Sequence, residues 1–280
     1  MAALPPILTA HLFEELDERL IELLESLSPS EWQQSTIVPA WNVKQVAAHL
    51  LDTALRRLSL DRDGELASQP PINSARDLAD LVNTLNARGV EIYGRLSARV
   101  LIALMRVATR ELREYFLSID PDAPARFAVS WAGETRSANW FDIAREFTER
   151  WHHQQQIRLA IDRSGIMTPR LYQPVLDCFM RALPYTYRDV LAETGAVAQI
   201  SIEGACGGDW FLSRQHDRWT LATTDESHNP HIVSKTTIPE EIAWRIFTKG
   251  IHRDTARQRV VIAGDERIGS AVLGSIAIVA

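Results

Sequence analysis

The spacing of apolar residues changes once along this 280-residue chain, and that change most constrains its fold. Over residues 1–165 apolar residues recur every three to four positions, which predicts amphipathic helices. After residue 165 they fall into short β-rich runs separated by glycine or aspartate, which predict strands. The second part also holds 8 of the 13 glycines in the shorter stretch. The sequence therefore predicts two domains, residues 1–165 and 166–280.

Helix-start signals divide the first domain. Asn42, followed three residues later by Gln45, has the pattern of a capping box, and Asn139 is expected to cap the last helix. The periodic stretch 75–119 is too long for one ordinary helix, so we expect a break near residues 94–97. The predicted helices cover about 12–27, 43–60, 75–119 with its break, and 140–161. This pattern predicts an all-α four-helix bundle.

The second domain is predicted to be a small α+β domain. Its short runs predict strands at 197–202, 210–212, 219–222 and 260–262, and its longer periodic stretches predict helices at 171–193, 239–247 and 270–278.

Composition excludes several protein classes. A net charge of −6 with 46% apolar residues fits neither a disordered chain nor a basic nucleic-acid-binding protein. No window approaches the roughly 18 uncharged apolar residues of a membrane-spanning helix, and no basic flank near the N-terminus predicts a secretory signal. Two cysteines are too few for a disulfide framework. We therefore expect a cytoplasmic protein without nucleic-acid or membrane partners, and its oligomeric state is left open.

A pair of residues on the predicted last helix has metal-ligand chemistry. Glu149 and His153 lie four residues apart, on one face and about 6 Å apart along the axis. Carboxylate and imidazole are ligands of zinc and other divalent first-row metals, but one helix supplies only two of them. His49, on an apolar face of the second helix, is the candidate third ligand, since facing helices assemble such sites in bundles. A solvated face and a hydrogen-bonded core histidine are the alternative interpretations.

Two segments resemble a known family. Residues 41–49 (Trp-Asn-Val-Lys-Gln-Val-Ala-Ala-His) and 145–153 (Arg-Glu-Phe-Thr-Glu-Arg-Trp-His-His) resemble the DinB-like superfamily and, more closely, its mycothiol-dependent maleylpyruvate isomerase family. The resemblance implies a metal-binding four-helix bundle followed by an α+β domain similar to sterol carrier protein. It also implies a His–Glu–His metal triad at His49, Glu149 and His153.

Three further residues of the last helix lie near the predicted ligands. Glu146 and Gln156 share the stripe of Glu149 and His153, and we expect them to orient the ligands or line the pocket. His152 points about 100° away from its neighbour, which favours a surface or outer-sphere role over ligation.

Four residues are weaker candidates for the pocket. Trp41 and Trp151 are expected to wall it. Asn86, among the leucines of the third helix, is expected either to line the same cavity or to face water. Arg158 is a candidate for substrate recognition, with a charge at the end of the bundle as the favoured alternative.

The family resemblance implies an enzyme that depends on a divalent metal, most simply zinc, with nickel or another first-row metal as alternatives. Its partners would be a small electrophilic substrate and a low-molecular-weight thiol such as mycothiol, used for addition, isomerisation or transfer. Cys178 lies on an apolar helix and is expected to be a packed core residue, so we expect the thiol to come from outside the chain. Two alternatives stay open: a hydrolase using a metal-bound water, and a non-enzymatic protein that binds an apolar ligand.

Overall fold

The computed structural model describes residues 4–65, 74–222 and 231–278. Its α-helices are α1 (Phe13–Glu25), α2 (Val43–Arg57), α3 (Ala75–Tyr93), α4 (Ala98–Ser118), α5 (Asn139–Ala160), α6 (Pro169–Met180), α7 (Leu183–Thr186), α8 (Glu240–Phe247), α9 (Arg253–Arg257) and α10 (Glu266–Gly269). Its strands are β1 (Ala196–Glu203), β2 (Gly208–Arg214), β3 (Trp219–Ala222), β4 (His231–Pro239) and β5 (Val261–Gly264). The predicted fold class, a helical bundle followed by a small α+β domain, is confirmed.

The bundle is built around α5. Helices α1 and α2 pack on one side of α5, while α4 contacts α1 and α2, and α3 lies against α2. Its apolar core includes Phe13, whose ring centroid lies 5.0 Å from that of Phe116 on α4 and 5.4 Å from that of Phe147 on α5. Because α6 covers the other side of α5, this helix is buried almost all round.

The second part is a five-stranded sheet in the order β3-β2-β1-β4-β5. Strands β1 and β4 pair in parallel, and the other three pairs are antiparallel. Ala198, Ile200 and Ile202 alternate along β1 and are buried, as expected for a strand with one face on the core.

An aromatic stack joins α5 to the second part. The Trp151 ring stacks on Tyr172 of α6 at 4.4 Å and 3°, and its centroid lies 6.3 Å from that of Trp244 on α8. The Trp151 indole also donates to the carbonyl of Ile166. The Tyr172 hydroxyl donates to the carbonyl of Glu240 and accepts from the Trp244 backbone N–H. Helix α5 thus has one side on the sheet-containing part and the other in the bundle.

Several local predictions are confirmed. The capping box of Asn42 and Gln45 is present in both directions at the start of α2. The long helical region breaks between α3 and α4, at residues 94–97. Residues 66–73, between the predicted helices 43–60 and 75–119, lie outside the described residues. Among the described helices, none has the length and apolarity needed to cross a membrane.

Other local predictions are wrong. Asn139 is the first residue of α5 rather than its cap, because its side chain donates to the carbonyl of Asp120. The predicted helix 171–193 divides into α6 and α7, and 270–278 forms only the 3₁₀ turn Ser270–Gly274. Strand β4 was not predicted, although its isoleucines, valine and threonines favour a strand.

Candidate metal centre

One side of α5 is polar although it is buried in the bundle. At 100° per residue, the polar residues of this stripe cover roughly 160° of the helix surface. They are Asp142, Arg145, Glu146, Glu149, Arg150, His152, His153 and Gln156. Since polar groups are costly to bury without partners, this stripe must be held by specific interactions.

Three side chains of the stripe form a compact group of metal-ligand type. One ligand atom each from Glu149, His152 and His153 lies within 4.8 Å of the others. Glu149 Oε2 is 3.7 Å from both His153 Nε2 and His152 Nδ1. Glu149 is the open member, with 25% of its side chain exposed, whereas both histidines are buried. His152 is therefore not a surface residue.

His49 reaches the same group from α2. Its ring centroid lies 4.6 Å from that of His153, and the two rings meet edge to face at 71°. Its Nδ1 is buried and finds no hydrogen-bond partner among the described residues. An orphaned imidazole nitrogen beside a carboxylate–histidine pair is what a bound cation would satisfy, so the residues present fit a metal ion.

Hydrogen bonds distinguish the two adjacent histidines. His153 Nδ1 lies 2.9 Å from Gln156 Oε1, an acceptor, so Nδ1 carries the proton and Nε2 presents its lone pair towards Glu149. His152 Nδ1 lies 3.1 Å from the carbonyl of Thr148 and is likewise the donor nitrogen. The nitrogen of His152 nearest Glu149 is thus committed to the backbone, which makes His153 the better ligand.

The electrostatics of the group keep its imidazoles neutral. Burial lowers the pKa of His153 to about 3 and that of His152 to about 4. Burial and the neighbouring His153 lower the pKa of His49 well below its ordinary value. Neutral imidazoles have the free lone pair that a metal requires. Desolvation by the surrounding protein raises the pKa of Glu149, and the nearby His153 and Arg145 oppose this shift.

Two of the predicted pocket residues border the group. The Trp41 ring centroid lies 4.8 Å from that of His49 and 6.4 Å from that of His153, so the indole covers both rings. Glu146 is buried one turn before Glu149, and its Oε2 lies 3.6 Å from Arg145 Nη2.

Two other predicted pocket residues lie elsewhere. Trp151 points about 160° away from His153, because it is two residues earlier on the helix, and it packs on α6 instead. Arg158 is buried at the C-terminal end of α5, where it donates to the carbonyls of Ser164 and Arg19. It holds the chain that follows α5.

Asn86 contacts α2, and Cys178 lies in the apolar core. Asn86 Oδ1 accepts a 2.7 Å hydrogen bond from Arg56 of α2. Cys178 is buried in the core, and its burial raises the pKa of the thiol to about 12, which leaves it protonated at neutral pH. It is therefore a poor nucleophile.

Sequence reasoning missed the charged residues around the group. Arg56 pairs with Asp52 one turn after His49, and Arg145 pairs with Asp142 one turn before Glu149. The four-residue spacing of Asp52 and Arg56 on the helix that carries His49 was a visible signal. The three-residue spacing of Asp142 and Arg145 on α5 was a second such signal.

Comparison with known proteins agrees with this architecture. The family model described as the mycothiol maleylpyruvate isomerase N-terminal domain matches residues 13–158, from the start of α1 almost to the end of α5. No curated protein sequence matches the chain significantly.

Two solved structures are similar. A crystal structure of a histidine-to-alanine mutant of the mycothiol-dependent maleylpyruvate isomerase is 11% identical with a TM-score of 0.50, over 85% of this chain and 86% of that chain. A second crystal structure of that isomerase is 13% identical with a TM-score of 0.46, at the same coverage. At such identities the first likeness shows the fold alone, and the second carries no argument.

Proposed function

Because the chain belongs to the mycothiol maleylpyruvate isomerase N-terminal domain family, we propose that it is a thiol-dependent enzyme acting on a small electrophilic substrate. The observation that carries this proposal is the compact group of Glu149, His152 and His153, with the ring of the orphaned His49 packed against His153. The solved structure that shares the fold is named as a mycothiol-dependent maleylpyruvate isomerase. Isomerisation of an unsaturated acid is therefore the first reaction to assay, and thiol transfer is the second.

The proposed ligands of a divalent ion are His49, Glu149 and His153. Two imidazoles and one carboxylate suit zinc best, and other first-row metals next. When bound, such an ion would lower the pKa of a small thiol such as mycothiol and so supply a thiolate at neutral pH.

The chain's own residues have supporting roles in this proposal. Gln156 holds the His153 ring in the tautomer that directs Nε2 inward. Trp41 excludes water from the side occupied by the two imidazoles. The exposed quarter of Glu149 marks the side from which substrate enters. The high pKa of Cys178 supports a thiol from outside the chain.

An apolar-ligand carrier finds less support. A cavity of about 170 Å³ lies where residues 4–8 meet α6 and the sheet, and it is smaller than the roughly 300–1,000 Å³ of ligand pockets. A second cavity of about 480 Å³ lies between residues 8–12 and α6, but it is a shallow surface depression lined partly by His11, Arg170 and Asp177, which does not suit an apolar ligand. We retain residues 1–165 and 166–280 as the proposed domains, with the site in the first.

Elemental analysis of protein never exposed to chelator tests the metal site. We expect about one divalent ion per chain, and loss of it in His49→Ala and His153→Ala. His231→Ala, at an exposed position of β4, is the matched control and should keep the ion. Wild-type protein without stoichiometric metal would contradict the proposed site.

Turnover assays test the reaction class. We expect isomerisation of maleylpyruvate, or conjugation of the thiol to an electrophile, only when a small thiol is added. Hydrolysis of esters or amides at equal rates with and without thiol would instead favour the hydrolase.

A further inference from the structure

Arg56 lies on the same face of α2 as His49. The two residues are seven positions apart, within about 20° around the helix and roughly 10 Å along it. Side chains lean towards the N-terminus of a helix, and Arg56 does so, because its Nε donates to Asp52 Oδ2 at 2.7 Å. Its guanidinium is thus turned back towards the candidate metal centre.

Two helices hold this guanidinium in place. Asp52 is buried against α3 at Gly89, where a Cβ atom would clash with the Asp52 carboxyl group. One turn earlier on α3, Asn86 Oδ1 accepts a 2.7 Å hydrogen bond from Arg56 Nη2. Glycine at position 89 therefore makes room for the carboxylate that fixes the arginine.

The bonds to Asp52 and Asn86 leave part of the guanidinium unused. They engage Nε and Nη2, whereas Nη1 has no hydrogen-bond partner within residues 4–65, 74–222 and 231–278. The Arg56 side chain is 33% exposed, so water or a ligand can reach it. Arginine presents a planar fork that suits a carboxylate, and its fixation here lowers the entropy cost of binding one.

The neighbouring arginines of the bundle interior do not combine an unused donor nitrogen with access to solvent in this way. Arg57 and Arg145 each lie against two carboxylates, and Arg150 is only 2% exposed. Arg56 alone among these four combines one carboxylate partner, one neutral amide partner and solvent access.

We propose that Arg56 is the residue that binds a carboxylate group of the proposed unsaturated-acid substrate. The proposal deepens the proposed function and rests on it for the identity of the site. Asp52 and Asn86 act as positioning residues for the guanidinium. A neutral ester of the same acid lacks the negative charge that this fork recognises.

Binding of maleate, a small unsaturated dicarboxylate, tests this role. Isothermal titration calorimetry on the full-length protein as purified should give a dissociation constant that rises about tenfold or more in Arg56→Gln, as expected for loss of a charged hydrogen bond. Arg56→Lys keeps the charge but not the fork and should lose part of that affinity. The control is Arg95→Gln, which removes an exposed arginine paired with Glu91 at the same four-residue spacing.

Thermal melting and metal content check that each variant is folded, and Arg56→Lys provides the comparison if Arg56→Gln does not fold. Dimethyl maleate should bind wild type and Arg56→Gln equally. Failure of wild type to bind millimolar maleate, or equal binding by wild type and the Arg56 variants, overturns the proposal. Thiol-dependent turnover is scored separately. If maleate binding depends on Arg56 but no thiol-dependent turnover is found, the proposed function is wrong and the carboxylate site is retained. If thiol-dependent turnover is found but maleate binding does not depend on Arg56, the carboxylate site is wrong and the proposed function is retained.

Discussion

The bundle and the sheet-containing part differ in what they bury. The bundle buries charged groups and imidazoles, at Asp17, His49, Asp52, Arg57, Asp142, Glu146, Arg150, His152, His153 and Arg158. Among the described residues after 166, the buried polar side chains outside the aromatic core are hydroxyls, at Ser201, Ser234, Thr236, Thr248 and Ser275. Burial of a charge costs far more than burial of a hydroxyl.

We call the bundle interior, which buries charges and imidazoles, the reactive interior, and the core of the sheet-containing part, which buries hydroxyls, the supporting interior. A hydroxyl can donate to a nearby carbonyl, as Thr236 does to Gly269, whereas a buried charge needs an oppositely charged partner, as Asp17 on α1 has in Arg150 on α5. Helix α5 contributes to both regions: His153 faces the bundle, and Trp151 faces α6. The comparison predicts that substitutions in the bundle interior cost more than those in the sheet, and that some change binding rather than stability.

The largest expected effect is at Asp142, which joins Arg57 and Arg145 inside the bundle. Asp142→Asn removes the anion shared by two buried or half-buried guanidiniums, which are left with Asp61 and Glu146 as partners, and should lower the free energy of unfolding by about 3 kcal/mol. Urea denaturation followed by circular dichroism measures this change. Asp254→Asn, at an exposed position of α9, is the control. A cost below about 1 kcal/mol would remove the proposed contrast with the sheet.

The pairing of Asp142 with Arg57 and Arg145 also predicts how the stability of the protein depends on pH. Although burial opposes ionisation of Asp142, Arg145 and Arg57 hold its pKa below the ordinary value. A depressed folded-state pKa stabilises the protein above the unfolded-state pKa of about 4, and the contribution fades as pH falls through the folded-state pKa. The stability difference between wild type and Asp142→Asn should therefore be constant from pH 5 to pH 7 and shrink below about pH 4. A difference that grows on acidification would contradict this assignment.

Gly89 gives the next effect, because it tests close packing between α2 and α3. Gly89→Ala brings a methyl group against the Asp52 carboxylate and should cost about 1–3 kcal/mol of stability, despite the better helix propensity of alanine. Thermal unfolding measures it. Gly94→Ala, at the end of α3, is not a matched control, since its Cβ would meet a backbone carbonyl. Ala87→Gly, on an exposed position of α3, reports propensity alone and should cost about 1 kcal/mol.

How far the sequence predicts these features depends on the distance over which each is encoded. The capping box of Asn42 is local and was predicted. Strand β4 pairs in parallel with β1 across a long separation in sequence, so no turn signal between neighbouring strands marked it. The placement of Trp151 was predictable from helix geometry, because residues two apart point to nearly opposite sides.

Within the candidate site, too, features encoded locally were predictable and contacts between helices were not. The spacing of Glu149 and His153 indicates a shared face, but only a facing helix brings His49 to them. The fixation of Arg56 by Asn86 joins two helices through side chains thirty positions apart. Local patterns do not encode such a contact. The hydrogen bond from His153 to Gln156 lies within one helix, yet the tautomer it selects depends on the side-chain conformation of both residues.

A smaller effect, and one on binding, is expected at Gln156. Gln156→Leu removes the acceptor that orients His153 and should weaken zinc affinity about 10- to 100-fold, with little change in stability. Competition with a chromogenic chelator measures the affinity. Gln156→Glu keeps an acceptor at the same position and should retain most of it. If Gln156→Leu lowers stability and leaves zinc affinity unchanged, this residue belongs to the packing of the bundle and not to its metal centre.

The smallest expected effect lies in the sheet. Thr236 Oγ1 donates to the carbonyl of Gly269 at 2.9 Å, and both residues are buried. Thr236→Val keeps the shape of the side chain and leaves one carbonyl without its partner, which should cost about 0.5–1.5 kcal/mol. Urea denaturation under the conditions used for Asp142→Asn measures both on one scale, and Thr237→Val, the less buried neighbour on β4, is the control. Because valine also favours strands, a loss as large as that of Asp142→Asn could not come from the hydrogen bond alone. It would show that the sheet bears a constraint comparable to that of the bundle, and the division between a reactive and a supporting interior would fail.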